Sequence, residues 1–189
     1  MSTHRVILAS RSPRRRALLE ILLRNFEIIP SDAEEVYAGS PEVRALLSAE
    51  VKAHAVGARE KGLVIGADTL VAIDDEVLGK PDTNDQAVQM LRRLSGRSHR
   101  VLTGLVVWDS FRDLEARACV ETDVRFRVLD DDDIERYIQS GESADKAGAY
   151  GIQGRASVFV REIRGEYTNV VGLPLCTLAR LLREVGLAL

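Results

Sequence analysis

Only two cysteines occur in 189 residues, Cys119 and Cys176, and they lie far apart in apolar runs. That spacing excludes a disulfide framework and predicts buried thiols in a reducing compartment. No apolar run reaches the roughly 18 residues that a membrane span needs. The opening MSTHRVILAS has no charged region followed by a long apolar stretch, so a soluble, cytoplasmic protein is expected. Aromatic residues make up 5% of the chain and the net charge is −3. These values argue against a broad nucleic-acid surface, which needs stacking platforms and an excess of cations, but they allow a local basic pocket. The three histidines, His4, His54 and His99, show no metal-ligand spacing and receive no role. The phosphate-loop pattern GxxxxGK[ST] is absent too, as are repeats and low-complexity segments.

What is present is a chain that is 46% hydrophobic and long enough to bury a substantial core. Val6 to Leu23, VILASRSPRRRALLEILL, runs from a short apolar strand through a polar turn into a helix. Ser10 and Ser12 can cap that helix and Pro13 suits its first position. Arg14, Arg15 and Arg16 put cations where the helix dipole disfavours them, which points to an anion such as a phosphate at the turn. Ala17, Leu18, Ile21 and Leu22 are its expected buried stripe.

Phe26 to Ile29 reads as a second strand, followed by an acidic turn with Asp32, Glu34 and Glu35. Ser40-Pro41 opens a helix to about Ala58 with Val43, Leu46, Leu47 and Val51 inward, and Lys52 on its solvated side. Leu63 to Ile73, LVIGADTLVAI, is a central strand interrupted by one acid. An aspartate in such a run must be paired, metal-bound or at a strand end, because an unpaired buried carboxylate is expensive; this marks Asp68 as functional. Asp74-Asp75 forms a turn, and Gly79-Lys80-Pro81 places a lysine at the end of the returning strand.

Thr83 with Gln86 makes a capping box for a helix to Leu94, its stripe Ala87, Leu91 and Leu94, with Gly96 past its end. Val101 to Trp108 and Cys119 to Val128 read as strands, with Val124, Phe126 and Val128 alternating. Asp130 to Asp133 cap a short helix to Ser140 rather than bind a cation. Gly141 to Gly154, GESADKAGAYGIQG, has four glycines yet carries Tyr, Ile and Ala, so an ordered binding loop is expected, with Asp145, Lys146, Tyr150 and Gln153 supplying charge, a ring and an amide. Ala156 to Ile163 and Tyr167 to Val171 are predicted as the last strands. Pro174 opens a terminal helix with Leu175, Leu178, Leu181, Leu182 and Val185 inward.

LASRSPRRRALL, GADTLV, GKP, MLRRLSGRSH, SGESADKAGAYGIQG and NVVGLPL, in this order, resemble the Maf family of nucleoside triphosphate pyrophosphatases nearly end to end. The resemblance implies an α/β fold of the Maf/ITPase-like kind over residues 1–189. That fold has a mixed twisted sheet with flanking helices and two lobes around a central cleft, usually in a homodimer. It also implies Mg²⁺- or Mn²⁺-dependent cleavage of a nucleoside triphosphate to the monophosphate and pyrophosphate. The loop wording is similar to the branch acting on dTTP and UTP; relatives preferring 7-methyl-GTP carry an acid where this chain has Gln153. By position, Asp68 matches the proton acceptor, as base, metal ligand or both. Arg14, Thr69 and Gln153 match specificity positions, and Glu35, Lys52 and Lys80 match polar cleft positions. Within AEVKAHA only the lysine carries over, and Glu34 is the neighbouring alternative to Glu35. The expected substrate-binding set is Ser10, Arg14, Arg15, Thr69, Lys146 and Gln153; the expected metal ligands are Asp68 and Glu35. A regulatory or nucleic-acid-binding module, possible through Arg14 to Arg16, is the rival class and is disfavoured by the negative charge and scarce aromatics.

Overall fold

A computed structural model describes residues 5–189; His4 lies outside them. The elements follow as β1 (Val6–Leu8), α1 (Pro13–Leu22), β2 (Glu27–Ile28), α2 (Pro41–Gly57), β3 (Leu63–Ile73), β4 (Glu76–Leu78), α3 (Asn84–Leu94), β5 (Ser98–Asp109), β6 (Leu114–Phe126), α4 (Asp131–Gln139), β7 (Val160–Arg164), α5 (Tyr167–Val171) and α6 (Leu175–Glu184). One seven-stranded mixed sheet runs β2-β1-β3-β5-β6-β7, with β4 also on β3. The α/β fold with a mixed sheet and flanking helices is therefore as expected.

The two faces of the sheet follow strand alternation. Val6 and Leu8 of β1, with Leu63, Ile65 and Ala67 of β3, join the larger core, to which α1 and α6 contribute Leu18, Leu19, Leu178, Leu181 and Leu182. Ile7, Ala9, Val64 and Val106 face the other way and pack on Ala49, Ala53 and Val56 of α2. Parity then puts Asp68 on the α2 face and Thr69 on the opposite one.

β1 and β4 share one edge of β3. β1 pairs in parallel with Leu63 to Ile65, and β4 pairs antiparallel with Val71 to Ile73. Neither strand covers Gly66 to Leu70 on that edge, while β5 pairs the whole opposite edge from Leu63 to Ala72. Asp68 and Thr69 sit in the middle of this gap. The Asp74-Asp75 turn is as read: both residues have positive φ, 51° and 62°, which closes a tight hairpin between β3 and β4.

Several expectations need correction. The buried face of α2 is Ala45, Ser48, Ala49, Ala53 and Val56, while Val43 and Leu47 are exposed. The reason lies in the sheet: a Cβ on Gly66 would meet the Ala49 carbonyl and Ala53 Cβ, the latter at 2.8 Å, and one on Gly104 would meet the Ala45 carbonyl and Leu46 N, the latter at 2.6 Å. Helix and sheet approach too closely for leucine between them. In α1, Leu19 is buried in place of Ala17 and Ile21, the latter 70% exposed. Gln86 caps Asp82 N at 2.5 Å instead of completing a box on Thr83, whose hydroxyl still accepts from Gln86 N. The box is complete in α4, between Asp130 and Asp133. β5 and β6 are longer than read, and Val128, outside β6, is exposed. Arg155–Phe159 is a 3₁₀ turn leading into β7, and Tyr167–Val171 is a helix. The β-branched run misled here; Asn169 is buried and donates to Val101 O (2.9 Å) and Thr122 Oγ1 (3.0 Å), and Gly172 at φ 123° ends the turn. Cys176 is exposed and Cys119 half-buried.

Gly66→Ala should destabilise the fold by about 1 to 3 kcal/mol, the usual cost of overpacking. Urea unfolding measures it; a loss indistinguishable from zero would mean that α2 can lift off the sheet freely.

Candidate active site

The gap in β3 opens into a cleft of about 740 Å³. Ser10, Arg14, Arg15, Glu35, Lys52, Asp68, Thr69, Lys80, Lys146 and Gln153 all line it, although they come from six separate stretches of chain. Glu34 is not among the lining residues, and Glu35 is the member of that pair that reaches Lys52.

The floor is an acid under a lysine. Asp68 is 5% exposed and its Oδ1 accepts from Lys52 Nζ at 2.6 Å. The same ammonium reaches Glu35 Oε1 at 3.2 Å. Lys52 is thus no solvated lysine: its side chain is 14% exposed. Asp68 Oδ2 is buried with no hydrogen-bond partner among the described residues. Burial pushes the Asp68 carboxyl above the ordinary carboxylate range, while Lys52 and Arg15 pull it back.

The three arginines of α1 separate into three environments. Arg16 pairs with Glu20 one turn on, at 2.9 Å, and belongs to the exposed surface. Arg15 turns inward: Nε donates to Gly172 O at 2.8 Å, Nη2 to Thr69 Oγ1 at 3.0 Å and Nη1 to Ser10 Oγ at 3.3 Å. Desolvation lowers its pKa, opposed by the Asp68 charge. Arg14 points into the cleft with Asp145 at 3.5 Å across the opening. Ser12 caps α1 by accepting from Arg15 N at 3.3 Å, and Ser10 Oγ accepts from Ser12 N at 3.2 Å, so the serines fix the turn.

The glycine-rich loop is ordered, and its anchors are buried. Tyr150 is 6% exposed; its hydroxyl meets His99 Nε2 at 2.8 Å, and its ring packs edge-on against Phe126 at 4.8 Å between centroids. The Tyr137 hydroxyl accepts from Gly151 N at 3.1 Å. Gly148, at φ 68°, donates its N–H to Gly79 O at 3.0 Å and so ties the loop to the residue before Lys80. A Cβ on Gly151 would strike Lys146 Cε at 2.6 Å, because that lysine runs beneath the loop to Glu142 O, also 2.6 Å away. Gln153 is exposed at the rim, and its amide takes no part in these internal bonds. Lys80 is likewise exposed and forms no ion pair among the described residues.

The sequence did not single out Gly172, Thr103, Glu142 or His99. The Gly172 carbonyl accepts from Arg15, Thr103 Oγ1 lies 2.9 Å from Thr69 Oγ1, and Glu142 accepts from Arg155 N at 2.9 Å beneath the loop. No local pattern marks them, since each acts on a partner distant in the chain.

A family model described as Maf-like protein matches residues 5–185. The chain belongs to the Maf-like family. A relative from Thermococcus gammatolerans named dTTP/UTP pyrophosphatase is 50% identical over 181 residues, covering 96% of each chain. Relatives with the same name from Ruminiclostridium cellulolyticum and Bacillus velezensis are 46% and 47% identical over 185 and 188 residues, covering 96% and 98% of each chain. The matches run through every stretch that lines the cleft of this Maf-like chain.

His99 supplies a pH test of the loop anchor. Burial takes its pKa down to about 4. The unfolded chain therefore binds a proton that the folded chain refuses between about pH 4 and 6.5. This contribution to stability is complete above about pH 6.5 and is lost as pH falls to about 4, at most about 3 kcal/mol. In His99→Gln the drop in unfolding free energy between about pH 7 and 4.5 should shrink by a large part of that. An unchanged drop would show that His99 is not the group refusing the proton.

Proposed function

We propose that this chain hydrolyses dTTP and UTP to the monophosphate and pyrophosphate. The observation that carries the reading is the buried Asp68 carboxylate, with one oxygen left without a partner, beside Lys52 at the floor of a cleft rimmed by Arg14 and Lys80 in a chain 46 to 50% identical to relatives of that name.

A triphosphate brings a concentrated negative charge, and neutralising it takes cations at fixed positions. Half-buried Arg14 and exposed Lys80, at the rim, meet the phosphate oxygens; Arg15 keeps its charge inside and holds Thr69 and Ser10 in place. Asp68 acts as base through Oδ2, taking the proton of the water whose oxygen attacks the α-phosphorus as the bond to the bridging oxygen breaks. A bare aspartate is too acidic for this work at neutral pH, and burial raises Asp68 in the required direction. Lys52 limits the rise and fixes Oδ1, leaving Oδ2 without a partner.

Asp68 and Glu35 also fit a divalent cation, because Oδ2 is an unpartnered oxygen and Glu35 lies on the same lysine. Mg²⁺ or Mn²⁺ held there supplies further neutralisation of phosphate charge. We place the enzyme in the cytoplasm as a homodimer. No described helix is long and apolar enough to cross a membrane, and Val43, Leu47 and Tyr37 leave apolar surface near the start of α2 for a second copy.

Gln153 favours pyrimidines with an imide edge. Thymine and uracil present an N3–H donor beside an O4 acceptor, and one amide answers both. Its freedom from the loop's internal bonds leaves both amide atoms for the base. A guanine edge offers two donors, which an acid accepts better, so an amide here disfavours the 7-methyl-GTP reading.

Pyrophosphate release from a panel of triphosphates, with and without Mg²⁺, tests the assignment directly. Asp68→Asn should stay folded and lose at least about 10²-fold in kcat, the scale of a lost general base; near wild-type turnover of dTTP would remove Asp68 from that role. Gln153→Glu should lower kcat/KM for dTTP and UTP by about tenfold or more while guanine triphosphates lose little or gain. An equal loss on every base would make Gln153 a residue that shapes the loop.

A further inference from the structure

On the same helix as Lys52, but on the side facing β6, Glu50 and His54 stand one turn apart, in the i, i+4 spacing that puts two ligands on one helix face. Glu115 of β6 meets them: His54 Nε2 lies 2.7 Å from Glu115 Oε2. One ligand atom from each of Glu50, His54 and Glu115 falls within 4.8 Å of the others. None of the three lines the catalytic cleft, and β5 separates β6 from the strand that carries Asp68.

The imidazole is held in place from behind. Trp108, directly across from Glu115 in the β5–β6 pairing, packs on the His54 ring at a tilt of 54° with centroids 4.4 Å apart. Trp108 is itself locked: its Nε1 donates to Asp113 Oδ1 at 3.1 Å, and a Cβ on Gly57 would strike its ring at 2.5 Å, so the last turn of α2 rests on the indole. His54 thus presents Nε2 to Glu115 from a fixed platform, with Glu50 completing the cluster. The present occupant of the far side is Arg117, whose Nη1 lies 3.0 Å from Glu50 Oε2 and 3.9 Å from Glu115 Oε1.

We propose that Glu50, His54 and Glu115 form a second metal site, for a divalent transition cation of the Zn²⁺, Co²⁺ or Ni²⁺ class, clamping α2 to β6. One imidazole nitrogen and two carboxylate oxygens suit these ions, whereas Mg²⁺ and Ca²⁺ favour oxygen alone. Ligand atoms about 2.1 Å from a tetrahedral ion stand about 3.4 Å apart, so the His54–Glu115 pair opens by less than an ångström as the ion replaces the proton between them. Three protein ligands leave a fourth position to water. Arg117 competes with the ion for the carboxylates and must swing outward, which its half-exposed side chain permits.

Trp108, the chain's single tryptophan, is the reporter. With excess Mg²⁺ present to satisfy hard-ligand sites, Co²⁺ or Ni²⁺ is titrated into the full chain while tryptophan emission is followed, and Zn²⁺ is tested by thermal shift. The expected result is saturable quenching and a Zn²⁺-dependent rise in Tm. His54→Ala and the nearly isosteric Glu115→Gln should each weaken the apparent affinity by about tenfold or more. Arg117→Ala, which removes the competing cation, should tighten it. Quenching that never saturates, an affinity unchanged in His54→Ala and Glu115→Gln, or weaker binding in Arg117→Ala would each show an ion-pair cluster only and overturn the proposal.

Discussion

The close approach of α2 to the sheet is the constraint on which the site depends. Gly66 and Gly104 have no side chain where Ala45, Ala49 and Ala53 press down, and the helix backbone itself occupies the space that a Cβ would need. Glycine within a strand ordinarily weakens it, so its place in the middle of β3 and β5 marks a close backbone approach. The consequence is chemical. A helix resting on alanines sits low enough for Lys52 to reach Asp68 at 2.6 Å and Glu35 at 3.2 Å. Leucines on the same face would raise the helix axis and part the ammonium from the carboxylate, leaving a buried charge without its partner.

A second constraint is the interrupted edge of β3. An unpaired stretch of strand normally invites another strand. Here the interruption is lined by side chains of both faces, Asp68 toward α2 and Thr69 toward Arg15, and the chain crosses its two ends as the turn after β1 and the segment after β4. The cleft therefore draws on both faces of the sheet at once. That is why residues as distant in the chain as Ser10 and Gly172 share a single arginine.

Much of this was legible in the sequence because it is local. The apolar run Leu63 to Ile73 gave its strand to the residue, the Ser-Pro pairs opened α1 and α2, and the aspartate in the run stood out through the cost of burying it. The resemblance then gathered Lys52, Lys80 and Glu35, which spacing alone could not. What was missed depends on contacts across the fold. Periodicity ranks leucine above alanine for burial, so it turned α2 the wrong way; only the glycines of other strands reveal the true face. Tyr167 to Val171 has strand-like residues but bends into a helix around the buried Asn169 amide. The inward turn of Arg15 was hidden because its partners, Gly172 and Thr69, lie 157 and 54 residues away.

The site divides into a fixed floor and an open rim, and the division suits the proposed chemistry. Lys52 is ion-paired to Asp68 and Arg15 is hydrogen-bonded to Thr69 on the next residue of β3, so the floor consists of two fixed pairs side by side. Groups locked in this way need no reorganisation when charge develops on a phosphate, which is the condition for electrostatic stabilisation to be large. Gln153, Lys80 and Arg14 stand outside those pairs: Arg14 is in the first turn of α1, Gln153 is on the loop pinned by Tyr150 and His99, and Lys80 follows Gly79, which the Gly148–Gly79 bond ties to that loop. An exposed side chain on a rigid backbone can be exchanged without disturbing the floor. On the proposed reading, base preference can therefore change at Gln153 while Asp68 and Lys52, beneath it, are left undisturbed.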